Sequence, residues 1–178
     1  MINQNFSLEP FEKNMLPYAF SIKGNVTRCS ALLHICCKLL GDLSEIQIPE
    51  KADIPARKNS LWQNTCMEFF IAVSDLPQYW EFNLSPSGDW NVYSFQNYRE
   101  GMKEESAFAS LPFRVHRQPE CFQIDIVCDL KKITDKFGLT EIGISAVVKH
   151  KNSELRYWAL KHCGSKPDFH LRENFILF

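Results

Sequence analysis

The chain has 178 residues, a net charge of −1, and 45% hydrophobic and 13% aromatic residues. A chain of this length buries roughly 70% of its unfolded surface, so we expect one domain spanning residues 1–178 with its own core. The missing basic excess argues against a nucleic-acid partner. Neither a membrane span nor a signal peptide is predicted, because the apolar runs are too short and residues 1–14 lack an apolar segment.

Strand signals dominate the chain, because apolar and polar residues alternate in short runs that end at turn residues. The runs expected to form strands are residues 18–23, 30–40, 45–48, 61–73, 79–85, 90–95, 111–117, 121–130, 140–150, 154–162 and 175–178. A polar loop is expected over residues 51–60, and irregular chain over residues 96–109. Pro86 and Gly88 predict a tight hairpin turn.

One short helix is expected at residues 130–137, where Asp129 can cap the N-terminus and Gly138 can follow the C-terminus. The other elements are about ten strands joined by hairpin-length links. This spacing favours an all-β fold, namely an antiparallel β-sandwich or jelly roll.

The seven cysteines are odd in number and include no CxxC pair. In a chain without a signal peptide, this pattern predicts reduced thiols and a cytoplasmic location. Cys36 and Cys37 are adjacent on a predicted strand, so their side chains should point to opposite faces. The histidines lie at no spacing that defines a metal site, and no metal or other cofactor is predicted.

Neighbouring strands carry an unusual mixture of aromatic and polar side chains on one face. Alternation places Glu68 opposite the apolar face of its strand, and it places Glu81 and Asn83 together on the next strand. The surrounding aromatic and cationic candidates are Trp62, Trp90, Tyr93 and Arg99. Aromatic rings stack on the C–H faces of sugars, while carboxylate, amide and guanidinium groups bond to hydroxyls. The pattern therefore predicts a site for a small, sugar-like ligand.

Three other interpretations remain open from the residues alone. Glu68 and Glu81 could form the carboxylate pair of a glycosidase, although two such residues on neighbouring strands more often form a solvated or hydrogen-bonded face. Met67, Met102 and the histidines could supply haem ligands, but Met67 is predicted to point into the core. An exposed aromatic patch could also serve protein interaction, and the oligomeric state is left open.

Several segments resemble the DOMON-like superfamily, which includes the family 9 carbohydrate-binding modules. Residues 61–70, LWQNTCMEFF, resemble its signature strand, in which a tryptophan precedes a strand with a glutamate between apolar residues. Residues 79–90, YWEFNLSPSGDW, resemble the continuation, and residues 157–160, YWAL, and 166–170, KPDFH, resemble its end. Taken together, these segments are similar to a bacterial branch of DOMON-like domains.

The resemblance implies a β-sandwich and a non-catalytic binding module, with sugar or haem as the ligand classes. In the sugar-binding relatives, tryptophans sandwich the sugar, and acidic, amide and arginine side chains bond to it. The matching positions are Trp62, Glu68, Asn83 and Arg99, with Trp90 or Trp158 as a second aromatic plate. Lys166, Asp168 and His170 lie in a C-terminal loop that we expect to cover the site, because functional residues concentrate in loops.

Overall fold

The structure, a computed structural model, describes residues 2–13, 18–134 and 140–177. These residues form β1 (Ile2–Ser7), β2 (Glu9–Pro10), β3 (Phe20–Cys29), β4 (Leu32–Gly41), β5 (Cys66–Val73), β6 (Tyr79–Leu84), β7 (Trp90–Phe95), β8 (Lys103–Glu104), β9 (Phe113–Gln118), β10 (Cys121–Asp129), β11 (Thr140–Lys149), β12 (Leu155–Ala159) and β13 (Ile176–Leu177). Short 3-10 helices occupy Leu61–Gln63, Leu130–Lys132 and Arg172–Asn174. In the described ranges, no helix has the length and apolar character needed to cross a bilayer.

The strands form two sheets, so the predicted all-β sandwich is confirmed. The smaller sheet has five strands in the order β1-β3-β4-β10-β9. The larger sheet has eight strands, seven of them in the order β2-β12-β11-β5-β6-β7-β8, with β13 paired to β11. Neighbouring strands in both sheets run antiparallel. The predicted hairpin turn after β6 is present, with Gly88 at φ +94°.

The main core lies between the two sheets and follows the period-two alternation of the strands. On β5, Met67, Phe69 and Ile71 point into this core, as the sequence predicted. The ring of Phe69 stacks on that of Phe82 from β6, with centroids 4.3 Å apart. Trp80 and Leu84 of β6 also belong to this core, and the alternate side chains of β5 and β6, which include Glu68 and Glu81, therefore point to the outer face of the larger sheet.

That outer face is also largely covered, which explains why every residue of β5, β6 and β7 is buried. A second apolar cluster lies on it and consists of Phe70, Ala72, Tyr79, Tyr93, Phe95 and Phe175. Phe175 packs directly over Gly143 of β11, where a Cβ atom would lie 2.6 Å from the Phe175 ring. A side chain at residue 143 would therefore push the covering segment away from the sheet.

Residues 160–177, here called the C-terminal segment, form this cover. Arg172 fixes the segment by donating to the Glu141 carboxylate at 2.6 Å and to the Leu76 carbonyl at 2.8 Å. Asn174 is buried and donates to the carbonyl of Asp168 at 2.7 Å. These contacts anchor the segment at its C-terminal end and leave residues 167–170 beside the polar part of the sheet.

Several element predictions need correction. Residues 45–48 contribute only an isolated bridge from Ile46 to His150, and residues 61–65 precede β5 as a 3-10 turn. No sequence pattern predicted β1 or β2. Asp129 does cap a turn, accepting from the Lys131 amide, but this turn is the 3-10 helix Leu130–Lys132. Residues 133 and 134 of the expected helix are not helical, and the part from residue 135 onwards, with Gly138, lies outside the described ranges.

Candidate functional site

A cavity of about 340 Å³ opens on the outer face of the larger sheet, between the sheet, the loop after β7 and the C-terminal segment. Sheet strands and the turn before β5 supply Trp62, Gln63, Glu68, Glu81, Phe95, Val147, Leu155 and Tyr157. The loop and the C-terminal segment supply Arg99, Met102, Pro167, Phe169 and His170. The cavity therefore combines an aromatic wall with charged side chains.

Two buried carboxyl groups form the floor of this cavity. In the register of β5 and β6, Glu68 pairs with Asn83 and Phe70 pairs with Glu81, so the two glutamates are diagonal neighbours on one face. Diagonal neighbours of an antiparallel pair are about 7–8 Å apart at their Cα atoms, within reach of long side chains. Each glutamate is only 4% exposed, so both carboxyl groups have lost most of their water.

Burial controls the protonation of this pair. Loss of solvation raises the pKa of Glu68 well above its usual value, and the nearby Glu81 carboxylate raises it further. Burial also raises the pKa of Glu81 to about 7, against the opposing effects of the Asn83 hydrogen bond and the Arg99 charge. Burial therefore favours the protonated form of Glu68, while Glu81 titrates close to neutral pH.

The two carboxyl groups differ in their hydrogen bonding. Asn83 donates from Nδ2 to Oε1 of Glu81 at 2.8 Å, and the Cys66 thiol lies behind it, 3.8 Å from the Asn83 Oδ1. Oε1 of Glu68 is buried and has no hydrogen-bond partner among the residues that the structure describes. A buried polar atom without a partner is unfavourable by about 1–3 kcal/mol, so this oxygen is a natural contact point for a ligand.

A neutral histidine stands beside the floor. His170 has its Nδ1 atom 2.8 Å from the Tyr79 hydroxyl, which also accepts from the Arg99 amide at 3.1 Å. Burial lowers the pKa of His170 to about 4, and the positive charge of Arg99 contributes to this shift. With Tyr79 as the donor to Nδ1, the imidazole proton sits on Nε2, which faces Oε2 of Glu81 at 3.9 Å.

Arg99 connects the loop after β7 to the C-terminal segment. The residue adopts a left-handed backbone conformation with φ 54°, and its guanidinium donates to Oδ1 of Asp168 at 2.8 Å. The same carboxylate accepts from the Tyr98 hydroxyl and from the His170 amide. Although burial opposes the shift, these hydrogen bonds lower the pKa of Asp168, so an ion pair closes one side of the cavity.

The aromatic wall consists of rings held by edge-on and stacked contacts with other rings. Trp62 lies half-buried at the rim, and its ring is 5.9 Å from the Tyr93 ring in an edge-on arrangement. Across the cavity, the rings of Tyr157 and Phe169 make a similar contact at 6.0 Å. Phe95 stacks on Tyr79 with centroids 4.7 Å apart. Rings fixed in this way are preorganised surfaces for stacking.

Five of the predicted site residues line the cavity together, namely Trp62, Glu68, Glu81, Arg99 and His170. Three more contact the lining residues without being part of it. Asn83 holds Glu81, Tyr93 packs against Trp62, and Asp168 holds Arg99. The sequence-predicted face is therefore largely assembled in one place.

Three predicted site residues lie elsewhere. Trp90 is 5% exposed and Trp158 is 3% exposed, and both belong to the core between the sheets. Each is an odd number of residues from an outward-facing tyrosine, Tyr93 or Tyr157, so strand alternation points it to the opposite face. Lys166 is exposed and does not line the cavity. None of the three can act as the expected second plate or cover in this arrangement.

Sequence reasoning missed part of the wall, including Gln63, Tyr157, Phe169 and Pro167. Tyr157 had a detectable signal, because alternation along β12 places it opposite Trp158 and on the outer face. Phe169 had none, because its position depends on how the C-terminal segment crosses the sheet. Within residues 2–13, 18–134 and 140–177, no group of three potential ligands is arranged to hold a metal ion.

No family model and no curated protein sequence matches this chain. Solved structures do match it. A candidate carbohydrate-binding protein from Bacteroides uniformis ATCC 8492 has a TM-score of 0.73 and 11% identity, over 98% of this chain and 84% of that chain. A family 9 carbohydrate-binding module from Caldicellulosiruptor kristjanssonii in complex with cellotriose has a TM-score of 0.51 and 8% identity, over 82% of this chain and 68% of that chain. At such identities the likeness establishes a common β-sandwich fold.

Proposed function

We propose that this domain is a non-catalytic carbohydrate-binding module whose ligand occupies the cavity above Glu68 and Glu81. The observation that carries the proposal is the buried, unpartnered Oε1 atom of Glu68 at the floor of an aromatic-walled cavity. A sugar hydroxyl placed there would satisfy the carboxyl group, and the ring faces of the wall would cover the sugar C–H bonds.

The volume and the fold both support this proposal. A cavity of about 340 Å³ falls in the range of small-ligand sites, roughly 300–1,000 Å³. The similar solved structures are described as a candidate carbohydrate-binding protein and a carbohydrate-binding module. The resemblance to DOMON-like domains points in the same direction and belongs to this proposal.

Calorimetric titration with a panel of mono- and oligosaccharides tests the proposal. We expect saturable binding to at least one sugar and a loss of about tenfold in affinity for Glu68→Ala, because this substitution removes the group to which a sugar hydroxyl would bond. Glu120→Ala is the matched control, since Glu120 is exposed in the turn between β9 and β10. Absence of heat across the whole panel, or equal effects of the two substitutions, would contradict the proposal.

One observation favours a second function, glycoside hydrolysis. Glu68 and Glu81 lie in one cavity with raised pKa values, and glycosidases use such a carboxyl pair as acid and base or nucleophile. Aryl glycosides provide the discriminating assay. Turnover that disappears in both Glu68→Gln and Glu81→Gln would establish an enzyme, whereas binding without turnover supports the module.

The haem alternative fits this cavity poorly. Nδ1 of His170 faces the Tyr79 hydroxyl at 2.8 Å, and a haem bound through Nε2 would have to occupy the 3.9 Å between that nitrogen and Oε2 of Glu81. Met67, a second haem candidate, is in the main core beside the Cys37 thiol at 3.6 Å. We therefore favour a sugar over haem.

A cytoplasmic location also remains a proposal. All seven cysteines are free, as expected of a protein in a reducing compartment. Fractionation of the source cells, with a known cytoplasmic protein as the reference, tests this expectation.

A further inference from the structure

We infer that the cavity prefers a sugar carrying a protonated amino group, an amino sugar, over the neutral sugar of the same configuration. This inference rests on the proposed function, because it names the ligand class for the same cavity. It follows from the charges on the cavity floor, from the hydrogen-bonding capacity left unused there, and from the aromatic wall.

The floor contains two carboxyl groups and no cation in hydrogen-bond contact with them among the described residues. Glu81 is bonded to the neutral amide of Asn83, and Oε1 of Glu68 has no partner. The nearest histidine, His170, is neutral at physiological pH because burial lowers its pKa to about 4. An ammonium group on a ligand would favour the ionised form of the pair and balance its negative charge.

Arg99 does not fully balance that negative charge, although it lines the cavity. Its guanidinium is paired with Asp168 at 2.8 Å, so its charge is already balanced at the rim. The Arg99 charge acts on both glutamates, but it only partly offsets the burial of Glu81, whose pKa still rises to about 7. The carboxyl pair therefore keeps the capacity to bind a further cation.

An ammonium group fits the unused acceptors better than a hydroxyl. It has three donors, enough to reach Oε1 of Glu68 and the Glu81 carboxylate at once, whereas a hydroxyl has one. A charged donor also forms a stronger hydrogen bond to a carboxylate than a neutral donor does. The rings of Trp62, Tyr157 and Phe95 line the same cavity, and aromatic faces attract cations.

The preference for an amino sugar should depend on pH. Holding an ammonium requires the carboxyl pair to give up a proton, so amino-sugar affinity should fall as pH is lowered from 7 to 5. The other titratable or charged groups around the pair are Cys66, Tyr79, Tyr93, Arg99, Tyr157 and His170. Burial raises the pKa of Cys66, Tyr79 and Tyr93 above the range of the test, and burial keeps His170 neutral through most of it.

The experiment compares matched sugars by calorimetry at pH 7 in buffer containing EDTA, which removes metal ions. The ligands are glucosamine, galactosamine and mannosamine, each with its neutral parent sugar and its N-acetyl derivative. We expect one amino sugar to bind at least about tenfold more tightly than both of its neutral counterparts, and to lose at least about threefold at pH 5. Glu68→Gln should reduce its preference to less than about threefold, while Glu120→Gln should preserve it.

The failures of the two proposals are distinguishable. If a neutral sugar binds as tightly as its amino counterpart in every set, the inference is overturned and the carbohydrate-binding proposal stands. If no sugar of any set or of the wider panel binds, both fail. Should Glu68→Gln fold poorly, Glu81→Gln provides the same comparison, since its amide oxygen can still accept from Asn83.

Discussion

At the scale of single residues, the site depends on ionisable groups that folding removes from water. Glu81 and His170 face each other at 3.9 Å, and burial moves their pKa values in opposite directions, so both favour the neutral form. Neither group is compensated by a full ion pair. The floor of the cavity therefore lowers the stability of the fold, as is common at functional sites.

The Glu81 shift has a consequence for stability against pH. Its pKa is about 7 in the folded protein and 4.5 in a model peptide. The stabilisation that protonated Glu81 provides is complete below pH 4.5 and is lost as pH rises to 7, because Glu81 releases its proton at lower pH in the unfolded chain than in the folded protein. We therefore predict that the unfolding free energy of Glu81→Gln, relative to wild type, rises by up to about 3 kcal/mol between pH 4.5 and 7.5.

Urea unfolding at several pH values measures this difference. The pKa of His170 shifts in the opposite direction. Its contribution to the unfolding free energy is lost as pH falls from 6.5 to its folded pKa of about 4. Its contribution is common to wild type and variant, whereas Glu68 loses the part of its pKa shift that comes from the Glu81 charge, so the comparison reports on the glutamate pair. Glu120→Gln should run parallel to wild type. A Glu81→Gln curve that is also parallel would show that Glu81 keeps its ordinary pKa.

Two tryptophans provide a second residue-scale prediction. Trp90→Ala should lower the unfolding free energy by about 3–5 kcal/mol, because this ring is buried between the sheets and packs under the Arg57 guanidinium at 4.4 Å. Trp62→Ala should change stability by about 1 kcal/mol and weaken sugar binding about tenfold, because its half-buried ring lines the cavity. Denaturant unfolding and calorimetry separate the two effects. A large loss of stability in Trp62→Ala would make that ring a structural residue.

At the scale of elements, the decisive arrangement is the C-terminal segment lying across β11 and β5. The Arg172 guanidinium reaches a carboxylate of β11 and the Leu76 carbonyl beyond β5, so one side chain spans both strands. This anchoring places Phe169 and His170 over the sheet. The cavity therefore exists only when the segment is docked.

Gly143 tests this docking. We predict that Gly143→Ala lowers the unfolding free energy by about 1–3 kcal/mol, because the new methyl group overlaps the Phe175 ring. Combining it with Phe175→Leu should recover part of that loss, since the smaller side chain leaves room. Thermal or urea unfolding of the single and double variants gives the coupling energy. Additive effects would show that residues 143 and 175 do not meet.

The floor of the site could be predicted from the sequence, and its walls only in part. Alternation along β5 and β6 is sufficient to place Glu68, Glu81 and Asn83 on one face, because the side-chain period of a strand is two. The identities of the covering side chains follow from contacts between distant parts of the chain, such as Tyr79 with His170. No local pattern encodes such contacts. The errors at Trp90 and Trp158 came from grouping aromatic residues by proximity in sequence and not by strand face.

At the scale of the molecule, the two sheets enclose one main core and the larger sheet carries a second cluster on its outer face. The number and patterning of the strands were sufficient to predict a sandwich. The order of the strands was not, because β1 and β2 pair with strands distant in sequence, and the loop residues that set such pairings have no periodic signal.

The distribution of the thiols gives a prediction for the whole molecule. Cys29 and Cys163 are exposed, whereas burial raises the pKa values of Cys37 and Cys128 to about 12. A thiol reacts as its thiolate, so a disulfide reagent should modify Cys29 and Cys163 rapidly in the folded protein and the buried thiols only after unfolding. Peptide mapping by mass spectrometry identifies the sites. Rapid modification of Cys37 would show that the main core opens readily.

The cavity has two parts that can change at different costs during evolution, namely the floor on the sheet and the wall formed by the C-terminal segment. The floor belongs to strands whose other face builds the main core, so its residues change only at a cost to folding. The opposite wall belongs to the C-terminal segment, which is anchored by Arg172 and Asn174. Residues 165–170 of this segment lie between β12 and the two anchoring residues. Sequence changes in that stretch can alter which ligands fit without rebuilding the sandwich. A library randomised there, on an unchanged sheet, is a direct route to new binding specificities.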